Sequence, residues 1–224
     1  MKIALETSKR RASLSVEKAG EVHFFEMAED ERQSSHLLTM VKSKLESLDI
    51  KPSDVESFIL HIGPGSSTGL RMGIAMAQGW AAVFPKVIFK GIHLESMALE
   101  LLNTWKPNKS RAYLLADAFA GQVFVQSFIK NGDSFIFEGE LKLIEKGDLE
   151  ALDKDAAIID DLGFLKEKID WPSTYEWTSL DFPNAKWVAL GEKHHSDADK
   201  IEEMDVRYLK VTSAELNWNK RKGL

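Results

Sequence analysis

Cysteine is absent from the 224 residues of this chain. Disulfide bonds and thiolate metal sites are therefore excluded, and the composition fits a reducing compartment, so we expect a cytoplasmic protein. No stretch approaches the ~18 to 20 continuous apolar residues that a membrane span needs, so no membrane contact is expected. Glu6 also places a carboxylate where an export signal would be apolar, and we expect no signal peptide.

Positively charged residues are also fewer than negatively charged ones. The sequence holds 29 lysines and arginines against 35 aspartates and glutamates, which gives a formal net charge of −6 at pH 7. A protein that holds a nucleic-acid backbone unaided needs an excess of cations on its binding surface. The composition therefore argues against RNA binding by this chain alone, while its 44% hydrophobic content is enough for a substantial core.

The hydrophobic pattern predicts three short strands first, and helices alternating with strands afterwards. The predicted strands cover residues 2–7, 12–17, 21–27, 57–62, 87–89, 112–116, 123–129 and 135–143. The predicted helices are a segment capped by Ser34 or Ser35 with Leu37, Leu38, Val41, Leu45 and Leu48 on one face, then residues 68–84 and 94–105, and one that starts near Pro183. This order is typical of an α/β or α+β fold, and the polar stretch at 106–110 predicts a boundary between two lobes.

The segment Gly-Pro-Gly-Ser-Ser-Thr-Gly-Leu-Arg-Met-Gly at 63–73 follows a predicted strand and opens a predicted helix. Backbone N–H groups and the helix dipole can receive an anion at such a place. However, Thr68 stands where both a P-loop and a dinucleotide-binding fingerprint require glycine, and no lysine follows it. The alternative is a tight turn whose glycines take positive φ and whose helix is capped by Thr68.

Small residues recur every fourth position along the helix behind this turn, at Gly69, Gly73, Ala77 and Ala81. Each glycine costs about 0.8 to 1 kcal/mol in a helix interior, so the stripe predicts that another backbone packs very closely on this face. Packing within the fold and packing against another subunit are equally compatible with the pattern.

No catalytic constellation emerges from the remaining residues. None of the six histidines is paired with another at the i, i+4 spacing that lets two imidazoles share a metal, and no Gly-x-Ser-x-Gly elbow is present. We therefore expect no catalytic residue and no resident metal.

The glycine segment resembles the Gly-Pro-Gly-Ser-Phe-Thr-Gly-Leu-Arg-Ile-Gly segment of the TsaB (YeaZ) family, the small paralogue of the TsaD/Kae1 proteins. Shorter resemblances lie at 5–8 with 13–16, 34–40, 117–124 and 207–218. The sequence departs from the family pattern at five places: Glu6 replaces Asp, Gln33 replaces His, Ser67 replaces Phe, Phe119 replaces Arg and Gln122 replaces Glu.

The resemblance implies an actin-like (RNase H-like, ASKHA) α/β fold in two lobes. The first lobe would hold residues 1–106, with 205–224 packing back on it, and the second would hold 107–204. It also implies a non-catalytic subunit that supports TsaD in transferring threonylcarbamoyl to the adenosine next to the anticodon of tRNAs that read codons beginning with A. A TsaD homologue and a TsaE-type ATPase would be the partners, tRNA would bind only through the complex, and the chain alone would form a homodimer.

The resemblance places the partner surface on Gly69, Gly73, Ala77 and Ala81 together with Leu37, Leu38 and Val41. It implies no cofactor of the chain's own, but ATP or ADP could lie at the interface shared with TsaD, where Glu6, Thr7 and Ser8 are the candidate contacts. The alternative function is a free-standing actin-like ATPase or phosphotransferase. The absence of glycine after Glu6 argues against that alternative, since glycine lets the backbone approach a phosphate.

Overall fold

The first sheet has five strands. Three come from the start of the chain, one precedes the glycine turn and one follows it. In this computed structural model, residues 1–118, 121–160, 173–178, 182–194, 199–201 and 203–205 are described. The strands are β1 (Lys2–Glu6), β2 (Ser13–Lys18), β3 (Glu21–Glu26), β4 (Ser57–Gly63) and β5 (Ile88–His93), in the order β3-β2-β1-β4-β5. The first three pair antiparallel, whereas β1, β4 and β5 run parallel.

Helices cover both faces of this sheet because its central strands are apolar on both sides. Helices α1 (Gln33–Ser47) and α2 (Ser67–Val83) pack on one face, where Ile3 and Leu5 of β1 point into the core. Helices α3 (Leu94–Trp105) and α4 (Ala185–Gly191) pack on the other face, where Ala4 points.

The second sheet lies on the far side of α3 and α4. It contains β6 (Arg111–Asp117), β7 (Gln122–Asn131), β8 (Ser134–Glu145), β9 (Ala157–Asp160) and β10 (Glu176–Trp177), in the order β10-β9-β6-β7-β8. The two helices share one core with both sheets, so the described layers run helix, sheet, helix, sheet. No helix of the described residues is long and apolar enough to cross a bilayer.

The predicted strands and helices all appear, with differences at their ends. Helix α1 begins at Gln33 after Arg32, so neither Ser34 nor Ser35 is its cap. Helix α2 is capped by the Ser66 hydroxyl, which accepts from the Gly69 N–H at 3.4 Å, and the predicted cap Thr68 lies within the helix.

The predicted lobe boundaries need correction near the end of the chain. Helix α4 was assigned to the second lobe, but it lies on β1 and β2, and its Ala185 N–H donates to Ser13 Oγ at 2.8 Å. Further along, Asp199 bridges to Phe89 of β5, and Ile201 and Met204 are buried in the first core. The chain therefore returns to the first lobe before residue 205. Residues 206–224 belong to the segment that is predicted to pack back on this lobe, and they lie outside the described residues.

Glu192, the residue after α4, forms ion pairs with two strands of the first sheet. Its carboxylate lies 3.0 Å from the ammonium groups of Lys2 and of Lys90. Burial raises the pKa of this carboxyl, the two lysines lower it, and the pKa falls below its ordinary value of 4.5 as a net result. A lowered folded-state pKa means that the ion pairs stabilise the protein above pH 4.5, and that this stabilisation is lost as the pH falls through the folded-state pKa.

Replacement of Glu192 by glutamine should lower the free energy of unfolding by about 0.5 to 1 kcal/mol at pH 7, a range that allows for solvent screening of a partly exposed pair. The difference should be smaller near pH 3 than at pH 7, because the stabilisation is lost as the pH falls through the lowered folded-state pKa. Urea unfolding at both pH values measures it. Glu203→Gln is the control, since Glu203 forms an exposed pair with Lys200 and its loss should change little. An equal loss at both pH values would contradict the ion-pair explanation.

Candidate functional site

The candidate site lies at the carboxyl ends of β1 and β4, in front of the first turn of α2. These strands are parallel neighbours with Leu5 opposite Leu60, so the residues that follow, Glu6 and His61, lie side by side. In open α/β sheets, ligands bind at the carboxyl ends of parallel strands. The sequence pattern and the topology of the sheet therefore place the candidate site at the same edge.

Glu6 and His61 form a buried polar pair at this edge, with 0% and 1% of their surfaces exposed. Glu6 Oε1 accepts a hydrogen bond from the Ser8 N–H at 2.6 Å and lies 3.2 Å from His61 Nδ1. An ionised carboxylate can only accept, so His61 Nδ1 carries the hydrogen and donates this hydrogen bond. Glu6 Oε2 and His61 Nε2 have no hydrogen-bond partner among the described residues, and each such buried group costs about 1 to 3 kcal/mol.

The glycine turn lies directly against the β1–β2 hairpin. Gly63 has a φ of 125°, which favours glycine, and a Cβ at Gly65 would lie 2.5 Å from Ser8 Cβ. The glycines thus serve a tight turn and close packing, which was the structural alternative to an anion site.

The stripe on α2 packs on the end of β1. A Cβ at Gly69 would overlap the carbonyl oxygen of Thr7, and a Cβ at Gly73 would lie 2.8 Å from Thr7 Oγ1. Ala77 is fully buried and Ala81 is half-buried against the same core. The close neighbour that the stripe predicts is therefore the chain's own backbone.

The predicted partner surface is corrected accordingly. Gly69, Gly73 and Ala77 are covered within the fold, and so are Leu37 and Val41, which belong to the first core. These side chains cannot meet a partner without opening the core. Leu38 points outward and is 65% exposed, so it stays a predicted contact.

The predicted nucleotide contacts need the same correction. Glu6 and Thr7 are buried, and only Ser8 of the three is half-buried. Ser8 N–H and His61 engage the Glu6 carboxylate, while α2 covers Thr7. The hairpin therefore presents neither the Glu6 nor the Thr7 side chain to a ligand.

Sequence reasoning missed His61, and it marked Gln33 only as a departure from the family pattern, without its contacts. His61 is a buried polar residue in the otherwise apolar strand segment Phe-Ile-Leu-His-Ile, and that contrast could have marked it. Gln33, the first residue of α1, donates through Nε2 to the backbone oxygens of Lys9 at 2.5 Å and Arg10 at 3.3 Å. No local signal predicts these contacts of Gln33, since its partners belong to the hairpin before it.

Gln122, another departure from the family pattern, lies apart from this site. Gln122 donates through Nε2 to Glu145 at 2.8 Å on the second sheet, and Phe119 lies outside the described residues. Within the part of the chain that the structure describes, no group of three or more metal-binding side chains is positioned to hold an ion.

An outward-facing apolar surface remains on α1 and α2, which we call the outer helix face. It is formed by exposed residues on both helices: Leu38, Ala75, Gly79, Ala82 and Val83. Leu38 and Val83 are 65% and 66% exposed, and a Cβ at Gly79 would meet no described atom within 4 Å. On α2 the exposed residues follow the i, i+4, i+7, i+8 spacing of one helix face, and Leu38 is exposed on the neighbouring helix. Exposed apolar residues on one helix face are typical of a protein–protein contact.

Alanine at Gly69 and alanine at Gly79 should change stability in opposite directions. At Gly69 the new methyl group meets the Thr7 carbonyl, and the free energy of unfolding should fall by about 1 to 3 kcal/mol. At Gly79 the methyl group enters open space, and the gain in helix propensity should raise stability by about 0.5 to 1 kcal/mol. Chemical unfolding monitored by circular dichroism compares the two. A loss of stability at both positions, or at neither, would contradict the packing described here.

Comparison with known proteins agrees with this architecture. The model of the family described as "TsaD: tRNA N6-adenosine threonylcarbamoyltransferase" matches residues 28–195. The tRNA threonylcarbamoyladenosine biosynthesis protein TsaB of Buchnera aphidicola subsp. Schizaphis graminum is 25% identical over 191 residues, covering 82% of this chain and 89% of that protein. Its Escherichia coli counterpart is 28% identical over 145 residues, covering 62% of this chain and 58% of that protein.

Solved structures show the same fold. YeaZ from Pseudomonas aeruginosa superposes with a TM-score of 0.75 at 18% identity, covering 93% of this chain and all of that one. A second Pseudomonas aeruginosa structure, of a protein described as similar to peptidase YeaZ, gives a TM-score of 0.75 at 17% identity and covers 94% of this chain. The chain therefore belongs to the TsaD family of tRNA N6-adenosine threonylcarbamoyltransferases, in its TsaB (YeaZ) branch, and has the predicted α/β actin-like fold in two lobes.

Proposed function

We propose that this chain is an accessory subunit of the machinery that makes threonylcarbamoyladenosine in tRNA, and that it acts by binding a TsaD-type partner in the cytoplasm. The biosynthetic role is the one that both TsaB relatives carry in their names. The observation that supports a binding role is the outer helix face, which leaves apolar residues of two adjacent helices exposed.

The arrangement of the polar site supports an accessory role over a catalytic one. General acid–base or nucleophilic chemistry needs a side chain within hydrogen-bond reach of a substrate. Glu6 and His61 are instead bonded to one another and buried beneath the hairpin. The carboxylate that an actin-like enzyme could direct at a phosphate is thus held inside the fold.

The outer helix face fits the partner better than the stripe that was predicted. Leu38 and Val83 supply large apolar side chains. Ala75, Gly79 and Ala82 have small side chains or none, so another helix can approach α2 closely. Apolar side chains that a partner desolvates carry most of the binding energy in many interfaces. A second copy of this chain would use the same face when TsaD is absent, so the two assemblies would compete.

The net charge bears on how tRNA is bound. With a net charge of −6, the chain adds little to the attraction for tRNA, so we propose that tRNA is held through the TsaD-type subunit. We propose that a TsaE-type ATPase joins the same assembly, and that any ATP or ADP lies at the shared interface.

Modification of tRNA in a reconstituted reaction tests the accessory role. Threonine, bicarbonate, ATP, the adenylate-forming enzyme and tRNA should give modified nucleoside only when this chain and the TsaD-type protein are both present. Mass spectrometry of the digested tRNA measures the product. Product formed by this chain without TsaD would overturn the accessory assignment, and steady ATP turnover by the pure chain would favour the ATPase or phosphotransferase alternative.

Replacement of Leu38 by aspartate should weaken binding to the TsaD-type protein at least about tenfold, because a carboxylate would have to be desolvated at an apolar contact. Isothermal titration calorimetry measures the Kd. Val22→Asp is the matched control, since Val22 is 61% exposed but lies on edge strand β3. Equal affinity of the Leu38 variant and the wild type would place the interface elsewhere.

A further inference from the structure

The two helices of the outer helix face are both fixed at their first turns by one short hairpin, residues 6–10 between β1 and β2. On the α2 side, Gly69 and Gly73 lie against the carbonyl and the hydroxyl of Thr7. Neither contact tolerates a Cβ without movement, so the hairpin sets the position of α2 closely.

On the α1 side, the same hairpin is held by Gln33. Its Nε2 donates to the backbone oxygens of Lys9 and Arg10, and Gln33 is only 8% exposed. Arg32, which precedes the helix, provides no side-chain cap, and the Gln33 amide ties the start of α1 to the hairpin. Gln33 Oε1 also lies 3.5 Å from where a Cβ of Gly69 would stand, which places Gln33 between the two helices.

The hairpin itself is anchored to β4 by the Glu6–His61 pair. Glu6, His61 and Gln33 thus form a buried polar cluster around the hairpin. In this cluster, Glu6 Oε2, Gln33 Oε1 and His61 Nε2 are buried without a hydrogen-bond partner among the described residues. Apolar side chains of similar size would often fill such a space at no loss of stability. Buried polar groups can instead specify one geometry, because their hydrogen bonds are directional where apolar packing is not.

We propose that Gln33, supported by Glu6 and His61, is a positioning residue for partner binding: it sets the distance between the first turns of α1 and α2 and thereby the shape of the outer helix face. This inference rests on the proposed function, in which that face meets a TsaD-type subunit. Gln33 does not touch the partner. It acts through the hairpin that both helices share.

Gln126 offers a matched control in the second sheet. It is 2% exposed, and its Nε2 donates to two backbone oxygens, those of Ser127 at 2.9 Å and Gly139 at 3.1 Å. Gln33→Glu and Gln126→Glu therefore make the same change at similar burial, because each removes two N–H donors and places a carboxylate against two carbonyls. Both variants should lower the melting temperature.

Only Gln33→Glu should change partner binding. Residues that act at a distance from a bound partner alter affinity by about 2- to 30-fold, and we expect Gln33→Glu to weaken the Kd for the TsaD-type protein within this range. Gln126→Glu should leave the Kd at the wild-type value. Calorimetry with the full-length chains, at a temperature where circular dichroism shows every variant folded, measures both. If Gln33→Glu does not fold, the comparison is made with Gln33→Met and Gln126→Met, which remove the donors without adding charge.

Three results would overturn the inference. Wild-type affinity of the Gln33 variant, with binding weakened by Leu38→Asp, would reject the positioning role and leave the proposed partner surface standing. Equal weakening by the Gln33 and Gln126 variants would show that affinity follows general stability. Wild-type affinity of the Leu38 variant would remove the outer helix face from the interface, and the positioning role would fail with it.

Discussion

The contact between the first turn of α2 and the Thr7 carbonyl is the constraint on which the rest of this lobe depends. The carbonyl sits where a side chain at Gly69 would be, so β1 and α2 approach as closely as two backbones can. This approach brings the glycine turn over Ser8 and closes the hairpin around Glu6. The packing of α2 on Thr7 therefore accounts for Gly69 and Gly73.

The buried polar cluster beside that contact is harder to explain by stability alone. Three of its atoms lack hydrogen-bond partners among the residues that the structure describes, and each such group opposes folding. Natural sequences commonly sacrifice stability where a defined geometry serves function. Here the cluster lies between the strands of the sheet and the helices of the outer helix face, and that location links the energetic penalty to binding.

Local signals in the sequence were enough to predict the elements, because alternation, helical periodicity and turn residues act within a few positions. The boundaries of β4, α2 and α3 therefore came out close. The site depends on residues far apart in the chain, and sequence alone could not assemble it. Ala185 meets Ser13 across 172 positions, and Gln33 meets the Lys9 oxygen across 24. The stripe on α2 was detected, but its neighbour was assigned wrongly, since glycine spacing reports that something packs closely and not what it is.

Gly79 lies on the outward face of α2, away from the stripe that packs on Thr7. Glycine in a helix interior opposes folding by about 0.8 to 1 kcal/mol, so each one calls for a neighbour that needs the space. Thr7 is that neighbour for Gly69 and for Gly73. Gly79 lies in the same helix, is exposed, and would meet no described atom if it carried a Cβ. Among the described residues, nothing in the fold accounts for this glycine. A second molecule that packs closely on the outer helix face would account for it.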